Sequence, residues 1–328
     1  MSNTLDIYQE AFTTTFAEIG TEPFEQGCVE LPAFNLLQPN FKAQSGTPAM
    51  TLFLTDYTQA DTPTITTRSG QFTASVSDDI ATSAEYRFAY PQVAHIRLPF
   101  QDVQENMGKN QIKDRVSLHS DATIYQCKSS INTTLYTANG SLPANSFSSF
   151  DTLCNDSVHS VGGIDWTVSG QEYWKPFTTA ASGDPKKILR LMWDTVRQRG
   201  NGVVPDVILS GTDFFTAVRD YLDDRGELQN IGGVKTELEW DTITYDGVKI
   251  VQDFTAPASK LFVLKKSALF LRYLNDLFLS VQKSQPVYAW NDGNTSVDNT
   301  LDTVIPVVSV LALGTNRRRS LGMATYTV

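Results

Sequence analysis

The chain has 328 residues, 26 Lys+Arg against 36 Asp+Glu, and a formal net charge of −10. Its 41% hydrophobic and 11% aromatic content suffices for one large core or two ordinary ones, which excludes a mainly disordered chain. The acidic balance excludes broad adhesion to DNA or to an anionic membrane, since both need excess positive charge.

Other exclusions follow from local pattern. The longest apolar run, Thr303 to Leu313, is far short of the ~20 residues that span a bilayer, and it contains proline. The opening MSNTLDIYQEAF has no basic region before an apolar run, so no signal peptide is expected. Cys28, Cys127 and Cys154 are odd in number, far apart and without a CxxC pair, which reads as reduced thiols in a reducing cytoplasm.

Residues 1–44 read as an arm. LDIYQEAFTTTFAEIG carries apolar residues near helical spacing, and ELPAFNLLQPNF is proline-punctuated and reads as irregular. Such a segment cannot bury its apolar groups alone and is expected to lie on another surface. Residues 45–98 are rich in Thr and Ser and poor in charge. Alternation at Phe72, Ala74 and Val76, with a turn at Arg68-Ser69-Gly70, predicts a long β-hairpin. Ile112, Val116, Ile124, Cys127, Ile131 and Leu135 fall near helical multiples. They predict a helix over about 109–137, ended by Asn139-Gly140 and roughly 40 Å long at ~1.5 Å per residue.

Residues 185–290 read as a compact α+β unit. Asp184 can cap a helix that begins at Pro185, carries Ile188, Met192 and Val196, and stops at Gly200-Asn201-Gly202. Val207-Ile208-Leu209 reads as a buried strand. A second helix carries Phe214, Val218, Tyr221 and Leu222. In DTITYDGVKIV, Asp246-Gly247 suits a type I′ hairpin turn. Strands are expected in KLFVL, ALFLRYL and LFLSVQK, and a final apolar strand leads into Arg317, Arg318 and Arg319.

Residues that could do chemistry are sparse. His95, His119 and His159 stand apart from one another and from cysteine at any metal-ligand spacing. There is no HExxH and no GxSxG. GNGVVP follows a helix rather than a strand and has proline where a dinucleotide fingerprint has its third glycine. DGNTSVD alternates oxygens at Asp292, Asn294, Ser296 and Asp298, but it lacks the glycine and terminal carboxylate of a calcium loop. No catalytic residue, cofactor or metal is expected.

From residue 86 onward the order of motifs becomes informative. NMGKNQIKDRV leads into the long helix, then Gly162-Gly163-Ile164-Asp165 has Tyr173-Trp174 behind it. Pro205-Asp206 precedes a strand, Tyr245-Asp246-Gly247-Val248 sits in a hairpin, and Asn316-Arg317-Arg318-Arg319 closes the set. This ordered set resembles the major capsid proteins of tailed bacteriophages, which have the Hong Kong 97 phage capsid fold, over about residues 45–322. The resemblance implies an α+β chain with an N-terminal arm (1–44) and an extended loop (45–98). It implies a peripheral domain (99–184 and 291–328) with a spine helix, and an axial domain (185–290). It also implies self-assembly of pentamers and hexamers into an icosahedral shell around double-stranded DNA, made in a bacterial host's cytoplasm.

Implied partners are further copies of the chain, a separate scaffolding protein, a portal and a cement or decoration protein, with only weak, non-specific DNA contact and no membrane. A separate scaffold, or prior cleavage, follows because only some 44 residues precede the hairpin. Subunit-contact or structural roles fall to Arg68, Gly162, Gly163, Asp165, Trp174, Arg317, Arg318 and Arg319. If the last segment is extended, Arg317 and Arg319 share a face and Arg318 points the other way. Pairing with carboxylates, within or between subunits, then suits them better than DNA contact. The alternatives are an encapsulin-like nanocompartment shell and, from a different class, a soluble carbohydrate-acting enzyme using two of the carboxylates. Some members of the family cross-link subunits through an extended-loop lysine, yet no lysine occurs between Lys42 and Lys109. Denatured mature particles should therefore run as single chains on a gel, and a ladder of covalent multimers would refute this.

Overall fold

A computed structural model of the chain describes residues 31–45, 49–55, 81–98, 115–143, 145–224, 242–274, 277–281, 285–287 and 302–327. The apolar runs VIL and LFVL explain its largest sheet. Strands covered on both faces read as continuous hydrophobic runs, because side chains on either side of the pleat are buried. Val207–Ser210 and Lys260–Leu264 are such strands, paired antiparallel at the centre of a six-stranded sheet. Gly322–Thr327 flanks Lys260–Leu264 and is itself flanked by Phe177–Ser182. On the other side, Val248–Gln252 lies parallel to Val207–Ser210, and Thr242–Tyr245 closes the edge.

One face of this sheet is covered by two helices. Asp184 accepts a 2.9 Å hydrogen bond from the Lys186 N–H and starts the helix Pro185–Arg199, as the sequence predicts. Its stripe of Ile188, Met192 and Val196 is buried with Phe214 and Val218 of Thr212–Asp224, against Ile208, Ile250, Leu261 and Val263. Asn201 (φ 54°) and Gly202 (φ 80°) turn the chain out of the first helix, so GNGVVP is a helix exit. The Asp246-Gly247 turn has both residues at positive φ, 48° and 78°, as a type I′ hairpin requires.

The opposite face presents Leu209 and Phe262, and Phe262 meets Phe150 and Tyr136 at ring separations of 6.0 and 5.7 Å. Tyr136 ends the long helix Arg115–Tyr136, whose 22 residues span about 33 Å. Ile131 and Leu135 are fully buried, Ile124 and Cys127 half-buried. The first part of the expected helix, before residue 115, lies outside the described residues.

The stretch expected to be irregular is not. Pro32 opens a short helix, Pro32–Leu37, where a missing N–H is tolerated, and Gln38–Asn40 adds a 3-10 turn. Phe41–Gln44 then runs parallel to Leu269–Leu274, in a three-stranded sheet completed by Leu311–Thr315. This strap lies on its own subunit, with Ala33, Phe34 and Leu37 almost fully buried. The helical piece expected before it lies outside the described residues.

The strap is fastened by a buried carboxylate. Asp253, 0% exposed, accepts from Tyr136 Oη (2.9 Å), Asn132 Nδ2 (3.4 Å) and the Ala33 N–H (3.4 Å) on Oδ2. The Thr255 N–H (2.8 Å) holds Oδ1. Asn132 Oδ1 accepts from the Phe34 N–H at 2.9 Å. One node thus joins the strap, the long helix and the loop after Val248–Gln252.

Ala49–Thr55 pairs antiparallel with Ala81–Arg87, the base of the expected hairpin. Ala49↔Arg87 and Thr55↔Ala81 are the end pairs of this ladder. The turn expected at Arg68-Ser69-Gly70 and the alternation at Phe72, Ala74 and Val76 lie outside the described residues. Contacts group these elements into one unit of Leu31–Gln92, Lys128–Phe278 and Ser309–Val328. A second unit includes Val93–Cys127 and Leu279–Val308. In it Asp302–Ser309 pairs with Ser280–Val281 and Gln285–Val287, and with Gln92–Leu98.

Asp253→Ala leaves several buried donors unpaired, so it should lower unfolding stability by about 3 kcal/mol or more, against about 1 kcal/mol for Tyr136→Phe. Urea unfolding measures both, and a loss for Asp253→Ala no larger than that for Tyr136→Phe would contradict the node.

Candidate functional site

The motifs singled out in the sequence converge on the paired strands Ala49–Thr55 and Ala81–Arg87, the root of the expected hairpin. Gly162 and Gly163 form the two-residue turn between Ser160–Val161 and Ile164–Asp165, with φ of 65° and 82°. Two consecutive positive φ values give the type I′ geometry that favours glycine. Gly162 is also tightly packed: a Cβ there would stand 3.0 Å from Ala84 Cβ and 3.1 Å from Tyr86 Cζ. Its carbonyl accepts from the Glu85 N–H at 2.9 Å, joining the turn to the hairpin strand. Trp174, 1% exposed, braces the turn from behind by donating Nε1–H to the Val161 carbonyl at 3.0 Å.

The opposite wall of this seat is Gly314, where a Cβ would come within 2.5 Å of Met50 Cε and Tyr86 Cδ2. Tyr86 is clasped between the two glycines and donates its hydroxyl to the Thr315 carbonyl at 3.0 Å. Opposed pairs Met50/Tyr86 and Leu52/Ala84 turn the hairpin's apolar face inward, and Thr51/Glu85 point out. Asp165 serves the loop locally: its Oδ1 accepts from the Thr167 N–H (2.9 Å) and Oγ1 (2.7 Å). These bonds hold its carboxyl below the ordinary carboxylate range.

Three residues beyond Thr315 the backbone does not stay extended. Arg318–Ser320 form a 3-10 turn, secured by Ser320 Oγ on the Arg317 carbonyl (2.8 Å). Arg317 is left exposed, Arg319 half-buried and Arg318 fully buried. Among the described residues no carboxylate is hydrogen-bonded to Arg318. Its Nε donates to the Leu153 carbonyl (2.9 Å), and its Nη2 to those of Thr152 (3.2 Å), Asn155 (2.8 Å) and Val158 (2.7 Å). Burial pulls the guanidinium down to about 10, so it stays cationic at neutral pH. The carbonyl dipoles compensate a charge that would otherwise be very costly to bury. Buried beside it, Cys154 is a free thiol whose pKa burial pushes up.

Of the residues expected to matter, the structure brings Gly162, Gly163, Asp165 and Trp174 to one loop at the hairpin root. Arg318 lies close behind, and Arg317 and Arg319 lie beside it in the chain. Arg68 lies outside the described residues. Sequence reasoning missed Tyr86, Gly314, Asn132 and Asp253. The one visible signal was Gly314, since a glycine inside an apolar strand marks a close backbone approach.

The arrangement holds an element in place. Among the described residues no group of three or more His, Cys, Asp or Glu is placed for a metal, and no described helix is long and apolar enough to cross a membrane. Among the described residues, the two buried carboxylates are occupied by partners from their own chain. Asp253 has its four donors, and Asp151 has Lys260 Nζ and the Asn139 N–H. The loop that carries Asp292 and Asp298 lies outside the described residues.

Two measurements follow. Arg318→Gln removes a buried guanidinium and the donor it offers to four carbonyls and should lower stability by about 3–5 kcal/mol, while Arg317→Gln should stay within about 0.5 kcal/mol. Equal losses from the two would overturn this reading. Burial also pushes the Tyr86 phenol from 10.0 up to about 12. The folded chain keeps this proton where the unfolded chain loses it. Stability is therefore intact below the unfolded pKa and falls as pH rises towards the folded one, by about 3 kcal/mol from this group. Tyr86→Phe should lessen that alkaline fall, read from urea midpoints at about pH 8 and about pH 11.

No protein-family model and no curated protein matches the sequence. Solved structures match in shape. A chain of the cyanophage A-1(L) capsid asymmetric unit aligns with a TM-score of 0.64 at 16% identity, over 93% of this chain and 95% of that one. A structure from Mycobacterium phage Adephagia gives 0.59 at 12% identity, covering 94% and 92%. The holo-SrpI encapsulin complex from Synechococcus elongatus gives 0.55 at 10% identity, covering 92% and 90%. The chain has the α+β fold of Hong Kong 97 phage-type capsid subunits, as the order of its motifs implied.

Proposed function

We propose that this chain is the major capsid protein of a tailed bacteriophage, a structural subunit that assembles into an icosahedral shell of pentamers and hexamers around double-stranded DNA. The observation that carries this reading is the coverage of the fold in both directions: nearly all of this chain aligns with nearly all of a cyanophage capsid subunit. Identical copies that meet by heterologous contacts form closed shells only if the contacting parts are held at fixed angles. A hairpin clasped at its root by Gly162, Gly314 and Tyr86 suits that need.

In this reading residues 1–44 are the arm and 45–98 the extended loop. Residues 99–184 and 291–328 are the peripheral domain, and 185–290 the axial domain. Assembly takes place in the bacterial cytoplasm with a separate scaffolding protein, a portal and a cement protein, and the product is the virion capsid. The acidic chain leaves packaged DNA free to move, because phosphate contacts are few and weak. The likeness to an encapsulin favours a second reading, a nanocompartment shell that holds protein cargo.

Electron microscopy of the purified chain tests both readings: shells, capsomers or sheets are expected, and a lasting monomer would sink them. Nuclease-protected DNA in particles from the native source supports the phage reading, and protein cargo the nanocompartment. Replacing Arg317 and Arg319 together by Gln should weaken assembly. Normal shells that package poorly would assign those arginines to DNA instead.

A further inference from the structure

The two helices that cover one face of the six-stranded sheet carry opposite charge. Pro185–Arg199 has five bases, Lys186, Lys187, Arg190, Arg197 and Arg199, against one acid, Asp194. Thr212–Asp224 has four acids, Asp213, Asp220, Asp223 and Asp224, against one base, Arg219. Lys187, Arg190 and Arg197 of the first helix stand in solvent, as do Asp213 and Asp220 of the second. Leu191, beside Arg190, is 49% exposed.

Own-helix stability does not account for this distribution. A helix N-terminus favours carboxylates and a C-terminus favours cations. Yet the first turn of Pro185–Arg199 holds two lysines and no acid, and the last turn of Thr212–Asp224 holds two aspartates and no base. Pairing inside the chain leaves most of the exposed charges unused. Arg190 meets Asp194 of its own helix at 3.7 Å, and Lys186 lies over the Tyr221 ring at 5.8 Å. Among the described residues, Lys187, Arg197, Asp213 and Asp220 form no ion pair. The spacings also match. Arg190 and Arg197 are seven residues apart, as are Asp213 and Asp220. Each pair therefore lies on one side of its helix, two turns and about 10.5 Å apart.

We infer that the basic face of Pro185–Arg199 in one copy docks on the acidic face of Thr212–Asp224 in the next. The inference rests on the reading that copies of this chain assemble, and it names the surfaces that meet. Two different surfaces of one chain that fit each other make a heterologous contact, and such contacts repeat until a ring closes. Arg190 and Arg197 of one copy pair with Asp213 and Asp220 of the next, guanidinium forks on carboxylates, and Leu191 is covered between them. The whole chain stands at −10, so copies repel on average, and a local match of opposite charges selects which faces meet. DNA suits the basic face less well, because Asp194 interrupts it and the acidic helix packs beside it.

Two full-length variants and their mixture are the test. One carries Lys187→Glu, Arg190→Glu and Arg197→Glu, the other Asp213→Lys and Asp220→Lys. Each alone sets like charges face to face. The concentration at which half the chain is assembled, read by light scattering and electron microscopy, should then rise at least about 10-fold. Circular dichroism checks that both variants fold. In an equimolar mixture the two variants can alternate, every contact regains opposite charges, and assembly should return. Charge pairing within one chain predicts no such rescue, because mixing leaves each chain's own helices mismatched. Variants that assemble like the wild type, or folded variants whose mixture assembles no better than its parts, would overturn the inference. A first variant that forms normal shells but retains less DNA would assign the basic face to nucleic acid instead. The wild-type chain gives a measurement that needs no variant to fold: raising salt from about 0.05 M to about 0.5 M screens exposed charges and should weaken assembly. Wild-type assembly that holds or strengthens with salt contradicts the docking alone, whereas a wild-type chain that stays monomeric sinks the shell reading and the docking with it.

Discussion

A single guanidinium that donates to backbone carbonyls organises the region on which the hairpin stands. Arg318 is fully buried and gathers the carbonyls of Thr152, Leu153, Asn155 and Val158. These carbonyls belong to the end of a short helix and the loop after it, where helical backbone bonding runs out. The arginine satisfies them together, which ties the loop that leads to Gly162 to the C-terminal segment. Three residues earlier, Thr315 takes the Tyr86 hydroxyl. Four residues later, Gly322–Thr327 enters the six-stranded sheet between Phe177–Ser182 and Lys260–Leu264. The arginine thus sits between the sheet and the hairpin root, and its burial depends on both.

The other buried charges follow the same logic. Asp253 joins the strap, the long helix and a sheet loop, over sequence separations of 220 and 117 residues. Asp151 and Lys260 join a helix and a strand 109 residues apart. Each node draws its partners from distant segments, so none can form before its segments meet. A chain held by such non-local contacts folds slowly for its size, because loop closure is paid before the contacts reward it. Once formed, the nodes make the register of the layers hard to shift, since a displaced partner leaves a buried charge uncompensated.

Several elements were legible in the sequence because their signals are local. The Asp184-Pro185 start, the Ile188/Met192/Val196 stripe and the Asp246-Gly247 turn depend on neighbours a few residues away, and all three stand where expected. The buried strands VIL and LFVL were legible because a sheet covered on both faces leaves an unbroken apolar run. The strap was misread. Its prolines look like breaks, but Pro32 opens a helix, and Phe41–Gln44 becomes a strand only because Leu269–Leu274 offers an edge. No window of the sequence contains that edge. The arginine triplet was open for the same reason: its faces were read on the condition of an extended segment, whereas Arg318–Ser320 form a 3-10 turn and Arg318 reaches four carbonyls.

The sequence by itself determined the layers, the turns and the order of the parts, since hydrophobic period, caps and glycine placement act over a few residues. Ordered motifs carried the fold class as well, although none of them is strong alone. Only the tertiary structure decided which polar residues became structural nodes. Arg318 and Arg317 are adjacent and chemically identical, yet one is buried and the other stands in solvent. The difference lies in four carbonyls some 160 residues away in the chain, and burial of a charge is permitted only where such partners already wait.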